Sequence, residues 1–260
     1  MADFDLEEVL KLARDAGQLA KNYFGNVSAQ RKADNTLVTR ADREAEQLAR
    51  ERLAEITPGW PVLGEEEGKG GEHLDRSRPF WVVDPVDGTS SFISGLPCWC
   101  FSLGLVVDGR AEFGVIELPM TGETFYTDPG GTKVYLNGGE WPAEEPEDID
   151  SESVLYVPSD SHRGYRISFP GKLRSLGSAA YHGILAGRGQ TAGALHGRIY
   201  LWDAAACLAI AGAWGLKTAY LDSTDAGPDD WELQGKCPGH LLFAHPRHFD
   251  YLVGTLELLS

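Results

Sequence analysis

The sequence predicts a mixed α/β protein of two unlike halves: an α+β half of helices on an antiparallel sheet (residues 1–150), then an α/β half of alternating strands and helices (151–260). Three observations carry that reading. Between residues 4 and 24, Leu6, Val9, Leu12, Ala13, Ala16, Leu19, Ala20 and Tyr23 recur at helical spacing with charges on the other face. Residues 98–107 and 111–118 alternate apolar with small or polar side chains around Asp108-Gly109, a pair that suits the tight turn of a hairpin. Residues 143–153 are rich in Glu, Asp and Pro, a compositional break that either separates two units or forms an acidic surface loop.

Taken in order, residues 4–24 form a long amphipathic helix ending near Gly25. Residues 31–42, RKADNTLVTRAD, begin with turn residues, alternate at Leu37, Val38 and Thr39, and enter a helix over 41–56. Residues 57–61 punctuate the chain. Val62 and Leu63 then lead to Gly64, Glu65, Glu66 and Glu67 and a Gly/Lys stretch with the composition of a mobile loop. Residues 81–92, WVVDPVDGTSSF, read as strand, turn and helix start. Pro85 forbids helix and biases Asp84 to an extended backbone at a strand's carboxyl end, and Thr89 is placed to cap the following helix. Residues 123–126 and 133–136 add short strands, with Asn137-Gly138 as a turn. Beyond the acidic break, 154–157, 199–202, 216–220 and 241–244 are predicted strands, and 179–186, 204–213 and 249–259 predicted helices.

At 260 residues the chain can bury a sizeable core. It carries 23 Lys and Arg against 39 Asp and Glu, a net charge of −16. That argues against nucleic acid, which needs basic residues to release counterions, and against anionic membrane surfaces. Clustered carboxylates can instead recruit divalent cations and, through them, a phosphorylated metabolite. Cys98, Cys100, Cys207 and Cys237 lack the paired spacing of a structural zinc site and read as reduced core thiols. Acidic residues stand where a secretory signal needs basic ones, and no run of about 20 apolar residues offers a membrane span. These features together point to the cytoplasm.

The chemistry concentrates in three places. Asp84 and Asp87 flank a turn whose Gly88 lets backbone approach a ligand, so carboxylates for a metal sit beside amides for a phosphate. A plain Asp-Gly turn is the alternative. Glu65 also follows a short apolar segment and a glycine, so two acidic strand ends can meet in space. Asp203 stands between a predicted strand end and an Ala-rich, otherwise apolar helix, where a buried charge needs a partner that a shared cation would supply. Lys32 and Asp42 either border this site or serve as solvated loop and helix-cap residues.

Residues 32–42 (KxDxTxVTxAD), Gly64-Glu65-Glu66, residues 84–89 (DPxDGT), residues 174–180 (RSLGSAA) and residues 202–205 (WDAA) together resemble, in order and approximate spacing, the inositol monophosphatase-like, magnesium-dependent and often lithium-sensitive phosphatases. The resemblance implies an alternating αβαβα layered sandwich with the site between the halves, and a homodimer. It implies that Glu65, Asp84 and the backbone carbonyl of Val86 hold one Mg²⁺, that Asp84, Asp87 and Asp203 hold a second, and that a third, weaker ion binds near Glu65. In-line attack by a metal-activated water on a phosphate monoester follows from the same resemblance. Glu65 and the Thr89 hydroxyl, paired with Asp42, would orient that water, and the N–H groups of Gly88 and Thr89 would hold the phosphate. The implied partner is a small phosphorylated metabolite, a polyol or amino-alcohol phosphate such as inositol phosphate or histidinol phosphate.

Two departures shift the substrate. The family pattern DGTxNF is broken at Ser91, and residues 91–97, SFISGLP, are more like the histidinol-phosphate phosphatase branch. Where inositol-specific members place a glutamate for the sugar hydroxyls, this chain has His196. That histidine is either an ordinary surface residue at a helix–strand junction or, with Ser178 and Ala179, part of the substrate side. A metal-binding regulatory protein that keeps the fold is the alternative function. Thr89 and Asp42, which would activate a water, argue instead for catalysis.

Overall fold

The computed structural model describes residues 3–32, 36–67, 78–189, 191–222, 224–231 and 235–259. Helix α1 (Leu6–Lys21) starts where the Asp5 carboxylate accepts the Glu8 N–H, and it buries Val9, Leu12, Ala13 and Ala16. A short antiparallel ribbon, β1 (Gln30–Arg31) with β2 (Leu37–Val38), leads to α2 (Arg40–Ile56). Thr39 and Asp42 form a reciprocal capping box at its start, one residue ahead of the predicted boundary. Then come β3 (Val62–Gly64), β4 (Phe80–Asp87), α3 (Thr89–Ile93), β5 (Cys100–Val107), β6 (Arg110–Leu118), β7 (Glu123–Thr127), β8 (Val134–Leu136) and β9 (Gly139–Glu140). The six strands from β4 to β9 are antiparallel neighbours in chain order, and β3 joins the edge parallel to β4. The Gly/Lys stretch after Glu67 lies outside the described residues.

The second half runs β10 (Val154–Tyr156), α4 (Ser161–Gly164), β11 (Tyr165–Ile167), β12 (Lys172–Arg174), α5 (Ala179–Leu185), β13 (Thr191–His196), α6 (Leu201–Ala213), β14 (Lys217–Tyr220), β15 (Leu241–Ala244), α7 (Pro246–Gly254) and β16 (Leu256–Leu258). A five-stranded sheet has the order β12-β10-β13-β15-β14, while β11 pairs with β16. Strand composition explains the layers. On the seven-stranded sheet Trp81, Val83, Phe101 and Leu103 face α1 and α2, while Val82, Cys100 and Ile116 face α5 and α6. On the five-stranded sheet Ala194, Leu241 and Phe243 face the same two helices, and Leu195 and Leu242 pack on Phe249 and Leu252 of α7. The result is the αβαβα sandwich that the resemblance implies.

Four sequence expectations are corrected. Residues 199–202 are not a strand: Tyr200 caps α6, and Leu201 and Trp202 lie in its first turn. The Asp203 carboxylate accepts the Tyr200 N–H at 2.7 Å, a helix-start contact that overrides the β-prone run Ile199-Tyr200-Leu201-Trp202. The strand of that unit is β13, upstream. The last helix covers 246–254 rather than 249–259, because Pro246 suits the first helical position and the chain leaves at Gly254 to pair with β11. Strand β4 continues beyond Asp84 to Asp87 with a register shift between them. Finally, Gly88 at φ +96° is the residue that turns the chain into α3, and Thr89 is the first helical residue rather than the cap.

The contact that brings the halves together is unusually close. A Cβ on Gly104 would meet the Ala205 Cβ at 2.7 Å, and one on Gly114 would meet the Ala206 carbonyl oxygen at 2.4 Å. Helix α6 thus lies against β5 and β6 because glycines face alanines. Gly114→Val should force the layers apart at a cost of about 3 kcal/mol, the upper range of overpacking, read as a lower urea midpoint. A loss below about 1 kcal/mol would show that α6 is free to shift.

Candidate active site

Parallel pairing of β3 with β4 sets Glu65 beside Asp84, with the Glu65 N–H donating to the Val83 carbonyl at 3.3 Å. Asp203 reaches the same place from the first turn of α6. Carboxylate oxygens of Asp84, Asp87 and Asp203 all lie within 4.8 Å of one another. Together with Glu65 they border a cavity of about 480 Å³ whose walls include Gly88, Thr89 and Ser90 at the start of α3, Gly177, and Arg31, Thr36 and Leu37 of the β1–β2 ribbon. First-turn N–H groups of a helix have no carbonyl partner within it, so the α3 side of the cavity is a donor wall.

Each carboxylate is held differently. Asp87 accepts from the Ser178 hydroxyl at 2.6 Å and from the N–H groups of Ala179 at 3.2 Å and Ala180 at 2.5 Å. Asp42, fully buried on α2, accepts from the Thr39 N–H at 2.9 Å and hydroxyl at 2.5 Å, and its other oxygen lies 3.2 Å from the Thr89 hydroxyl. That hydroxyl is also 3.1 Å from the Val86 carbonyl, so its single proton serves one of the two acceptors at a time. Asp84 has a hydrogen bond only from the Val86 N–H of its own turn among the described residues, at 3.1 Å. Burial, then the charges of Glu65, Asp87 and Asp203, push its carboxyl well above the ordinary range.

Lys32 brings positive charge to the acids, and Arg31 stands on the cavity wall. The Lys32 ammonium donates to Glu65 at 2.9 Å and Glu66 at 2.6 Å. Burial pulls it down, but the two glutamates outweigh that and hold it above its usual value. Burial raises Glu66 to about 7. Glu65, Glu66, Asp84, Asp87 and Asp203 outnumber the two cations beside them. An all-oxygen donor set of four converging carboxylates and a turn carbonyl fits a hard divalent cation.

The structure brings together Glu65, Asp84, Val86, Asp87, Gly88, Thr89, Asp42 and Asp203. Ser178 and Ala179 grip Asp87 from the α5 N-terminus. His196 is placed elsewhere. It is 3% exposed at the end of β13, its ring 5.0 Å from Phe243 and 6.1 Å from His182, and it is absent from the cavity wall, so it is not a surface histidine. Sequence reasoning missed Glu46, fully buried one turn beyond Asp42 on α2. Its carboxylate accepts the N–H groups of Glu66 at 2.8 Å and Glu67 at 3.0 Å, and a Cβ on Gly64 would lie 2.2 Å from it. A glutamate on the Ala41-Ala45-Ala49 face was the signal.

A family model described as the inositol monophosphatase family matches residues 5–256. The chain is 32% identical over 216 residues to the histidinol-phosphatase of Chlorobaculum parvum, covering 79% of this chain and 82% of that protein. It is 29% identical over 218 residues to a fructose-1,6-bisphosphatase/inositol-1-monophosphatase of Thermotoga maritima, covering 79% and 80%. Among solved structures, an IMPase of Thermotoga maritima matches with a TM-score of 0.80 at 26% identity, covering 96% of this chain and 95% of that one. These likenesses make the protein a phosphoric monoester hydrolase. The chain belongs to the inositol monophosphatase family. Among the described residues no helix is long and apolar enough to cross a membrane.

Burial depresses His182 to about 4 and His196 to about 3 from an ordinary 6.5. The unfolded chain therefore takes up these protons first, and stability falls as pH drops below 6.5 towards the folded values. For His196 alone the loss between pH 6.5 and 5 is about 2 kcal/mol. Urea titrations of wild type and His196→Gln at both pH values should show the variant's curve flatter by that amount. Parallel curves would mean that His196 takes up its proton as readily in the folded protein as in the unfolded one.

Proposed function

We propose that the protein hydrolyses the phosphate monoester of a small amino alcohol or polyol, histidinol phosphate or inositol phosphate, with Mg²⁺ held by its own carboxylates. The observation that carries this is the convergence of Glu65, Asp84, Asp87 and Asp203, from three segments of the chain, on a cavity whose facing wall is the start of α3. Glu65, Asp84 and the Val86 carbonyl would hold one cation, and Asp84, Asp87 and Asp203 a second. When bound, Mg²⁺ supplies neutralisation of phosphoryl charge and a lowered water pKa.

The remaining work belongs to the chain. The N–H groups of Gly88 and Thr89 bind phosphate oxygens, aided by the positive φ that turns Gly88 into the cavity. Asp42, already fixed by Thr39, orients the Thr89 hydroxyl. With its proton directed to Asp42 or to the Val86 carbonyl, that hydroxyl keeps lone pairs open to accept a hydrogen bond from the attacking water. Glu65 then takes up the proton of that water, and Lys32 holds its carboxylate in place.

Three features favour the amino-alcohol ester. One relative is named a histidinol-phosphatase, and residues 91–97 resemble that branch. Where a glutamate would meet sugar hydroxyls, the buried His196 stands back from the cavity.

Phosphate release should be measured with and without Mg²⁺ on histidinol phosphate, inositol 1-phosphate, a sugar phosphate, fructose 1,6-bisphosphate and adenosine 3′,5′-bisphosphate. We expect Mg²⁺-dependent release with histidinol phosphate preferred, and a loss on the order of a thousandfold in kcat/KM, about 4 kcal/mol of transition-state stabilisation, in Asp84→Asn. No release from any of these substrates would sink the reading.

A further inference from the structure

We propose that Ser91 is a positioning residue that sets the Gly177 wall of the cavity through the backbone of Leu176. The proposal rests on the phosphatase reading above.

Ser91 lies in α3 and is 5% exposed. Its hydroxyl donates to the Leu176 carbonyl at 2.7 Å, and the Leu176 N–H donates to His182 Nε2 at 2.9 Å. The two peptide groups flanking Leu176 are therefore pinned from opposite halves, one by α3 and the other by α5. His182 accepts here only as a neutral ring with its proton on Nδ1, and its burial favours that form. Gly177 follows at φ +83° and lines the cavity, and a Cβ on it would lie 2.3 Å from the Ser91 hydroxyl oxygen. A Cβ on Gly88 would in turn meet Ser178 Cβ at 3.0 Å and the Gly177 carbonyl oxygen at 3.4 Å. The start of α3 and the 176–178 turn thus touch backbone to backbone.

The same turn continues into Ser178, Ala179 and Ala180, whose donors hold Asp87. Ser91 is also where the chain departs from the DGTxN pattern. A short hydroxyl reaches the carbonyl here because Gly177 leaves the space. Without it, the turn keeps its anchor on His182 and Asp87 but loses its tie to the wall that faces the phosphate. Ground-state and transition-state binding then weaken together, which raises KM and leaves kcat in place.

The test compares wild type, Ser91→Ala, Ser91→Thr and Gly177→Ala, using steady-state kinetics on the preferred substrate and calorimetric binding of inorganic phosphate in the presence of Mg²⁺. Ser91→Ala should raise KM and the phosphate Kd about five- to tenfold, with kcat and Mg²⁺ affinity within about twofold of wild type. Ser91→Thr, which keeps the hydroxyl, should restore both. Gly177→Ala pushes the turn off Ser91 without deleting the hydroxyl, and should reproduce the KM-selective loss even where Ser91→Ala folds poorly. Unchanged KM and phosphate Kd in Ser91→Ala would overturn the proposal. So would a parallel fall in kcat, Mg²⁺ affinity and Tm that Ser91→Thr does not rescue, since that marks a merely structural role. A wild type that releases no phosphate would refute the phosphatase reading, and phosphate calorimetry would still decide the role of Ser91.

Discussion

The site depends on how closely α6 lies against the seven-stranded sheet. Glycines at 104 and 114 remove the side chains that would hold the helix away, and Ala205 and Ala206 fill the gap with the least bulk. Only at that separation does Asp203, one turn earlier on α6, come within reach of Asp84 and Asp87. Packing and chemistry are therefore one constraint. The alanines that look like a featureless apolar helix are what let a carboxylate cross from one half to the other.

That crossing has an electrostatic cost, which the chain meets unevenly. Asp87 is compensated by three donors from α5, Asp42 by its own capping box, and Glu46 by Arg50 and two backbone amides. Asp84, 1% exposed and flanked by like charges, keeps only the amide of its own turn among the described residues. An unpaired buried carboxylate is among the most expensive groups a fold can carry. Its persistence at the centre of an acidic protein makes sense where a cation completes it. A hydrophobic isostere at Asp84 would remove that cost.

Much of this was legible in the residues. The carboxylates of Glu65, Asp84, Asp87 and Asp203 stood out because each interrupts or follows an apolar run, and glycine or alanine beside them marked close approach. The amphipathic period of α1 and the Asp108-Gly109 hairpin were equally plain, since local pattern and tertiary burial agree there. What was not legible depended on contacts made at a distance. Residues 199–202 have strand composition, yet a helix-start hydrogen bond from Tyr200 to Asp203 decides their shape. Strand β13, with its alanines and glycine, carries little β propensity and is a strand because β10 and β15 flank it. His196 sits at a position whose counterpart would face substrate, but only the packed structure shows that its ring turns to His182 and Phe243. Glu46 gave one faint sign, a charge on an alanine face.

The division of the carboxylates along the chain also bears on how the molecule is made. Glu65, Asp84 and Asp87 precede residue 90, whereas Asp203 follows more than a hundred residues later. A nascent chain therefore displays three of the four acids long before the fourth is synthesised, and contacts of such sequence span form late because loop closure must precede them. An incomplete polypeptide lacks the full set of carboxylates. Docking of α6 onto Gly104 and Gly114 is the step that both closes the core and brings Asp203 to the other carboxylates.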